Sequence, residues 1–346
     1  MRSEQATSDP EPATAEAGPA PEQLITRRQW LTRYIAIRLL ILIPLAILVT
    51  VVAFSLTQVA PGGPVSAIIG ERPTTPETIA ALEEKYGLND PVVVQYWRWA
   101  SGVLTGDWGT SIMTHEPVLG DVWQRAQVTL VITSAGILLA LVLGIVTGVL
   151  AALRRGRLLD RVLSSISILL LSTPTFALAL GLLYLLGFRL GWFPIFGSGE
   201  WLASRLHHLA LPALVLGLHG MGFVMRLTRA SMLEQFDEDY VAFARARGLS
   251  ERKVIGGYAF RNALIPILTA GGLLFLGLLT GSVLVETVFG LPGLGNLLVS
   301  SVKASDFPVI QGLILIIAAW IILVNIVVDI LYAVVDPRVG FEKALG

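Results

Sequence analysis

The sequence contains no cysteine, which excludes disulfide scaffolds, thiolate metal sites and cysteine nucleophiles. Charged residues are also scarce, at 14% of the 346 residues, whereas 54% of the residues are hydrophobic. A soluble domain needs more charge on its surface than this composition provides. The protein therefore belongs in a lipid bilayer.

Sequence signatures of several catalytic classes are missing as well. The Gly-x-x-x-x-Gly-Lys-Ser/Thr phosphate-binding loop does not occur, so any ATP must be handled by a partner protein. The four histidines form no His-Glu-x-x-His zinc motif, because His115-Glu116 is followed by Pro117. Ser198 lies between two glycines in a predicted external loop, which is not the strained turn of a hydrolase nucleophile. These absences disfavour an intramembrane enzyme.

The hydrophobic residues are gathered into six stretches of the length that crosses a membrane. About 20 residues of helix span a hydrocarbon core of about 30 Å, and lipid offers no hydrogen-bond partner to an open backbone. We therefore predict an all-α polytopic membrane protein with six transmembrane helices. The predicted spans are, approximately, 34–59, 128–153, 163–188, 209–233, 267–289 and 310–335.

The basic residues are distributed unevenly over the two sides that these spans define. With the N-terminus inside, 18 of the 25 Lys and Arg residues fall on the inner side, and cytoplasmic loops are the ones that carry such an excess. We therefore predict that both termini lie in the cytoplasm.

The spans divide the chain into five parts, two of which are tails. The first tail is rich in Ala, Pro, Glu and Thr and has no apolar core, so we predict that it is disordered. The external segment contains four tryptophans, Trp97, Trp99, Trp108 and Trp123, which suit either a small folded unit or interfacial anchoring. The parts are a cytoplasmic tail at 1–26, the first transmembrane helix at 27–60, an extracytoplasmic segment at 61–127, a five-helix core at 128–340 with a cytoplasmic loop at 234–266, and a cytoplasmic tail at 341–346.

Two pairs of glycines are spaced four residues apart within predicted spans. Gly144 and Gly148 form one pair, and Gly277 and Gly281 form the other. Small residues at this spacing let two helix backbones approach closely. We expect both pairs to serve helix packing.

The cytoplasmic loop carries the most informative pattern in the sequence. It runs from Asp239-Tyr-Val-Ala-Phe-Ala-Arg-Ala-Arg to Gly248-Leu and on to Arg261-Asn-Ala-Leu-Ile-Pro266. Its apolar periodicity predicts short amphipathic helices that are separated at Gly248. Such a compact element suits a rigid lever at the membrane surface. The alternative is an ordinary basic loop that obeys the positive-inside rule.

The loop resembles the one by which the permeases of ATP-binding cassette (ABC) importers dock on their ATPases, with Ala242 where the family's short form has Glu. Further strings across residues 34–340 resemble the B-type permease subunit of dipeptide, oligopeptide and nickel importers. They include Pro61-Gly-Gly-Pro64, Tyr86-Gly-Leu-Asn-Asp-Pro91, Gly106-Asp-Trp-Gly-Thr-Ser111, Ser172-Thr-Pro-Thr-Phe176, His208-Leu-Ala-Leu-Pro212, Glu286-Thr-Val-Phe-Gly-Leu-Pro-Gly-Leu-Gly295 and Asp329-Ile-Leu-Tyr-Ala-Val-Val-Asp-Pro-Arg338.

The resemblance implies the fold and the partners of the protein. The expected fold is that of a type I ABC importer permease in a bacterial cytoplasmic membrane, with a cytoplasmic coupling helix. The expected partners are a homologous C-type permease in a heterodimer, two ATP-binding subunits that handle ATP and Mg²⁺, an extracytoplasmic substrate-binding protein and the lipid bilayer. The chain itself is expected to be non-catalytic, to bind no cofactor and to bind no nucleic acid. Peptides are the expected substrate class, and nickel chelates, glutathione or another small solute remain alternatives.

The resemblance and the polar residues of the spans supply three sets of candidate functional residues. The coupling residues are Asp239, Tyr240, Phe243, Ala244, Arg245, Ala246, Gly248, Leu249 and Arg261. Candidates for the translocation path are Ser172, Thr173 and Pro174, where proline predicts a kink, together with Asn325 and Asp329, which share a helical face with Tyr332 and Asp336. Candidates for an external gate or a contact with the binding protein are Glu286, Pro292 and Gly293.

Each of the span candidates also has a structural interpretation. The kink can serve packing alone, Asp329 can pair with a neighbouring polar group, and Glu286 with its turn can be a simple helix exit. The main rival function is an ion-coupled secondary carrier. A single acidic residue in a late span gives that function little support.

Overall fold

The computed structural model of the protein describes residues 27–59, 65 and 75–335. These residues form twelve helices, and the pairing between Thr110 and Pro117 is an isolated β-bridge. The all-α prediction is therefore confirmed over the described chain. The predicted tails at 1–26 and 341–346, the Pro61–Pro64 string and Asp336 lie outside the described residues.

The helices follow one another with short connections. They are α1 (Arg27–Val59), α2 (Pro76–Tyr86), α3 (Val92–Thr105), α4 (Val118–Leu153), α5 (Leu158–Ser172), α6 (Thr175–Leu182), α7 (Leu202–Phe236), α8 (Asp239–Ala246), α9 (Glu251–Lys253), α10 (Phe260–Phe289), α11 (Leu294–Lys303) and α12 (Phe307–Val335). Two π-helical segments, Leu183–Arg189 and Val254–Ala259, continue α6 and α9.

Five helices of the described chain are long and apolar enough to cross a membrane, and α5 with α6 makes a sixth span if the bent pair is counted as one. The bend between α5 and the continuation of α6 to Arg189 is 107°. Its position confirms the kink predicted at Ser172, Thr173 and Pro174. Proline at 174 has no N–H to donate to the preceding turn, which favours a break at this position.

All six predicted span starts lie inside helices that begin earlier, and two of them serve as examples. The helix predicted from 128 begins at Val118, and the helix predicted from 209 begins at Leu202. Hydropathy marks the apolar part of a helix, whereas these helices continue through polar turns beyond the apolar core. The extracytoplasmic segment predicted at 61–127 therefore includes the first turns of α4.

The central packing interface lies between α4 and α7. A Cβ atom at Gly144 would lie 2.6 Å from the Cβ atom of Val224, and one at Gly148 would lie 2.6 Å from the Cβ atom of Thr228. These distances leave no room for a side chain, so the packing role predicted for this pair is confirmed.

The second glycine pair behaves differently. In the described chain, a Cβ atom at Gly277 would meet nothing within 4 Å, and one at Gly281 would have its nearest neighbours at 3.7 Å. The predicted close packing is therefore wrong for Gly277 within the described chain, whereas Gly281 makes ordinary van der Waals contact with Leu216 of α7 and Thr175 of α6. The spacing is the same as in the first pair, but Gly277 faces away from the other described helices.

This contrast gives a matched pair of substitutions. Gly148→Ala is expected to destabilise the protein by about 1–3 kcal/mol, because overpacking forces two helices apart. Gly277→Ala is expected to have little effect or to stabilise α10 slightly, since alanine favours helix. Thermal unfolding of the purified complex in detergent measures both changes. Equal stability of the two variants would contradict the assignment of the α4–α7 contact.

The external segment is fastened to the last helix. The Ser111 hydroxyl donates a hydrogen bond of 2.6 Å to Asp306 Oδ2, and the backbone N–H of Met113 lies 3.3 Å from the same oxygen. Asp306 is 1% exposed and directly precedes α12. The loop before α4 is therefore held against the N-terminal end of α12.

Candidate functional site

The predicted coupling loop folds into the short helix α8 and a tight corner. Asp239 occupies the first turn, where an acidic side chain favours the helix N-terminus. The corner is made by Gly248, whose φ of +75° lies in the left-handed region. The Gly248 N–H donates to the Arg245 carbonyl at 2.9 Å, and the Leu249 N–H donates to the Ala244 carbonyl at 3.3 Å. Glycine meets this conformation without strain, whereas a β-branched residue would not.

One face of α8 packs on the end of α4, the end of α7 and the start of α10. Val241 and Ala244 are 0% and 3% exposed and lie in an apolar cluster. The other buried members of this cluster are Ala152 of α4, Met232 of α7, Val254 and Ala259 of the π-helical segment and Ala263 of α10. Leu249 and Tyr240 pack against its edge. A displacement of α8 would therefore act on these spans, because closely packed interiors deform little.

The opposite face of α8 is exposed. Phe243 is 65% exposed, and Ala242 and Ala246 are exposed beside it. The Arg247 guanidinium lies 5.9 Å from the centre of the Phe243 ring. A large exposed apolar side chain beside a basic group is suited to insertion into a pocket of a partner protein.

Ala244 does not share this exposed position. Its side chain is enclosed by the apolar cluster, so a direct contact of Ala244 with a partner is excluded in this conformation. Residues 243 and 244 are consecutive, and consecutive helix positions point about 100° apart. Ala244 therefore contributes to the loop by packing.

Polar contacts brace the coupling loop on both flanks. The Tyr240 hydroxyl donates to Gln235 Oε1 and accepts a hydrogen bond of 2.9 Å from Asn262 Nδ2. Arg245 Nε lies 3.0 Å from Glu251 Oε1, with both side chains largely exposed. These contacts connect the end of α7, α8 and the start of α10. Arg261 is exposed on the same side of the loop.

A buried ion pair lies near the same end of the bundle, and sequence reasoning missed it. Arg229 of α7 donates to Asp160 of α5 from Nε at 2.6 Å and from Nη2 at 2.8 Å. The carboxylate also accepts from the Gly156 N–H at 2.9 Å and from the Ser164 hydroxyl at 3.3 Å. The Asp160 side chain is 5% exposed. The sequence contained a signal for this ion pair, because Asp160 is a single carboxylate in a run of arginines.

Glu286 lies in a second buried polar cluster, at the junction of α10 and α11. It accepts hydrogen bonds from the Thr129 hydroxyl at 2.6 Å, the Gly295 N–H at 2.7 Å and the Asn296 N–H at 3.2 Å. The Thr129 hydroxyl in turn accepts from the Leu294 N–H at 2.8 Å. Glu286 thus binds the first backbone N–H groups of α11, where a carboxylate is favoured.

This geometry argues against the predicted contact of Glu286 with a binding protein, and a role of the three residues in an external gate stays a prediction. Glu286 is 0% exposed, so its side chain does not contact a binding protein. A Cβ atom at the buried Gly293 would lie 2.3 Å from the carboxyl carbon of Glu286, so that glycine makes room for the carboxylate. Pro292 is exposed and remains the surface candidate of the three.

The path candidates lie in two separate places. Ser172 is exposed at the bend, whereas the Thr173 hydroxyl donates to the Leu169 carbonyl of its own helix at 2.7 Å. Asn325 is exposed and Asp329 is half-buried on α12. The side chains of Tyr332 and Asp336 lie outside the described residues. A role of these residues in solute passage therefore stays a prediction.

Comparison with protein families gives two adjacent matches that together span most of the chain. Residues 144–341 match the model described as binding-protein-dependent transport system inner membrane component. Residues 31–141 match the model of the N-terminal part of such membrane components.

Individual relatives match over nearly their whole length. A dipeptide transport system permease protein of Alkalihalophilus pseudofirmus is 36% identical over 327 residues, covering 88% of this chain and 98% of that protein. A glutathione transport system permease protein of Salmonella paratyphi A is 39% identical over 309 residues, covering 89% of this chain and 99% of that protein.

Solved structures extend the similarity to the fold. A crystal structure of the MetNI methionine ABC transporter in an inward-facing conformation matches with a TM-score of 0.54 at 19% identity. The match covers 64% of this chain and 99% of that one. The shared part is the permease fold of ABC transporters.

Proposed function

Because the chain belongs to the family of binding-protein-dependent transport system inner membrane components, we propose that it forms half of a peptide path and couples that path to ATPases through α8. It is a permease subunit of an ABC importer and is a non-catalytic, multi-pass membrane component. The exposed Phe243 face of α8, set on a helix whose other face is buried in the bundle, carries the coupling proposal.

The proposed assembly contains four protein subunits in addition to this chain. A homologous permease completes the path, two ATP-binding subunits hydrolyse Mg-ATP below the membrane, and an extracytoplasmic binding protein delivers the solute. The basic residues beside the span ends support a cytoplasmic position for both termini and for α8. The exposed Pro292 supports a contact with the binding protein on the opposite side.

Peptides are the proposed substrate class. Relatives that are 36% and 39% identical are named as dipeptide and glutathione permeases, and both solutes carry peptide amides and free carboxylates. Small polar groups at Ser172 and Asn325 are available to a solute of this kind on exposed helix faces. A nickel chelate or another small solute is the second candidate, since the exposed polar groups do not distinguish it.

The coupling role is tested by charging the exposed face of α8. Phe243→Asp is expected to lower ATP-driven uptake of a labelled dipeptide by about tenfold or more, because a carboxylate cannot enter an apolar pocket without a large desolvation cost. Membrane insertion should be unchanged, since Phe243 is 65% exposed. The assay uses membrane vesicles that contain the assembled importer and its binding protein, with uptake and ATP hydrolysis measured in parallel.

Ser250→Asp provides the matched control. It adds the same charge to the same loop at the exposed position before α9, where aspartate is a preferred helix cap. Its uptake should equal that of the unmodified importer. If Phe243→Asp retained normal uptake per ATP hydrolysed, the coupling role of this face would be refuted, whereas loss of the chain from the membrane would instead show a folding role.

A further inference from the structure

Helix α3 of the external segment packs along the outer part of α1. The Tyr96 hydroxyl lies 2.8 Å from the Thr50 hydroxyl, and Gln58 Nε2 donates to Gln95 Oε1 at 3.1 Å. The Phe54 ring contacts both Tyr96, at 5.6 Å between centres, and Trp99, at 5.8 Å. The contacts extend from the end of α1 back to Thr50, so α3 does not sit above the helix end.

The position of Thr50 gives the depth of α3. The apolar span of α1 runs from Leu40 to Val59, and Thr50 precedes its external end by about 13 Å at 1.5 Å per residue. Half of a hydrocarbon core measures about 15 Å. The Tyr96 side chain therefore reaches well into the outer leaflet.

The last helix supports the same depth independently. Gln311 Nε2 donates to the Ala53 carbonyl at 3.1 Å and is buried, which places the two residues at one level. Gln311 lies inside the apolar span of α12, which runs from Phe307 to Leu331. The level of Ala53 and Phe54 is thus within the apolar spans of two helices.

The side of α3 that faces away from α1 is apolar. Val93 and Trp97 are each 66% exposed, and Leu104 is 88% exposed. Their spacing places them on one side of the helix. On α1, Ile43 and Ile47 lie on the same side as Thr50 and Phe54 and are 53% and 54% exposed, so the apolar surface of the span continues to α3.

The polar groups of α3 fit a position at the membrane interface. Arg98 pairs with Asp90 at 2.5 Å, and its side chain is about half exposed. A basic side chain on an interfacial helix extends its charge towards the headgroups, while tryptophan occupies the boundary between headgroups and acyl chains. Helices with an apolar face and such flanking groups lie in the plane of the interface.

We propose that α3 is embedded in the outer leaflet, with Val93, Trp97 and Leu104 in contact with lipid acyl chains. The occupant of this surface is lipid, and neither the binding protein nor the partner permease covers it. The embedded helix fixes the depth of the external segment beside α1.

Because the chain contains no cysteine, the position of α3 can be tested by site-directed labelling. Single cysteines are introduced as Val93→Cys, Trp97→Cys and Leu104→Cys and labelled with a nitroxide. The assembled importer, with cysteine-free partner subunits, is reconstituted in vesicles of phosphatidylethanolamine and phosphatidylglycerol. Spin relaxation by oxygen, which partitions into lipid, is compared with relaxation by a water-soluble nickel chelate.

The expected result is a ratio of oxygen to nickel accessibility several-fold higher at these three positions than at Ala80→Cys, an exposed position of α2. It should approach the ratio at Leu48→Cys on the α1 span. High nickel accessibility at the three positions would overturn the proposal, because the surface would then face water. Low accessibility to both reagents, or a loss of accessibility on adding the binding protein, would overturn it in favour of a protein contact.

Discussion

Replacing Asp160 with alanine is expected to destabilise the protein by about 1–3 kcal/mol, because it removes charge-assisted hydrogen bonds and leaves Arg229, whose side chain is 31% exposed, without its partner. The carboxylate receives two hydrogen bonds from Arg229 and one each from the Gly156 N–H and the Ser164 hydroxyl. Its removal leaves the guanidinium without its partner at the contact between α5 and α7. Thermal unfolding of the purified complex, with uptake measured in vesicles, checks the result.

A double-mutant cycle separates the pair from other effects. Arg229→Ala alone should also destabilise the protein, but by less than Asp160→Ala, because Gly156, Ser164 and the N-terminus of α5 continue to stabilise the carboxylate. The combined variant should cost less than the sum of the two single variants, since neither charge is then left behind. Additive losses would contradict a direct interaction.

The exposed pair of the coupling loop serves as a control for charge removal itself. Arg245 and Glu251 are 3.0 Å apart, with side chains that are 42% and 62% exposed. Solvent-exposed pairs contribute about 0–1 kcal/mol. Glu251→Ala should therefore leave the unfolding temperature nearly unchanged, and a loss as large as that of Asp160→Ala would point to a general effect of the removed charge.

The second large effect is expected at Glu286. Glu286→Ala should cost roughly 3 kcal/mol or more, because it leaves the Gly295 and Asn296 N–H groups and the Thr129 hydroxyl buried without their acceptor, and each such loss costs about 1–3 kcal/mol. All three groups bond to the carboxylate within 3.2 Å. The junction of α10 and α11 should open, with loss of both thermal stability and uptake.

Glutamine at this position distinguishes hydrogen bonding from side-chain volume. In Glu286→Gln the amide oxygen can accept from Gly295 and Asn296, while the Thr129 hydroxyl rotates to accept from the amide nitrogen. The loss should be clearly smaller than for alanine. Equal losses for the two variants would contradict the bonding scheme and indicate that the fully buried side chain acts by filling space.

Two threonine substitutions compare a hydroxyl that bonds to Glu286 with a hydroxyl that bonds to its own helix. Thr129→Val removes a hydroxyl that donates to Glu286 and accepts from the Leu294 N–H. Thr287→Val removes an exposed hydroxyl that bonds the Val283 carbonyl of its own helix. The first variant should be the less stable of the two, because its lost hydroxyl connects three segments of the chain.

Local sequence signals predicted much of the architecture. Hydrophobic runs gave the helical class and the number of spans, because the bilayer admits helices of one approximate length. Proline at 174 gave the position of the bend, and the corner at Gly248 followed from its place between two periodic segments. Each of these properties depends on a few consecutive residues, and so each could be read from the chain alone.

The identical spacing of the two glycine pairs shows where such signals fail. Gly148 lies against α7, whereas Gly277 would place a side chain in open space within the described chain. Ala244 resembled a contact residue of the coupling loop and is enclosed by its apolar cluster. The rotation of a helix about its axis depends on the helices packed around it. A pattern within one helix therefore does not determine which side is covered.

By itself, the sequence determined the helical membrane class, most of the apolar spans, the family resemblance and the position of the short helices that meet at Gly248. The tertiary structure decided which polar groups meet. Asp160 pairs with Arg229 across 69 residues of chain, and Glu286 meets Thr129 across 157. The physical reason is that hydropathy and turn preferences act over a few residues, whereas a buried charge is matched by whichever partner the packing of distant helices brings within hydrogen-bond distance.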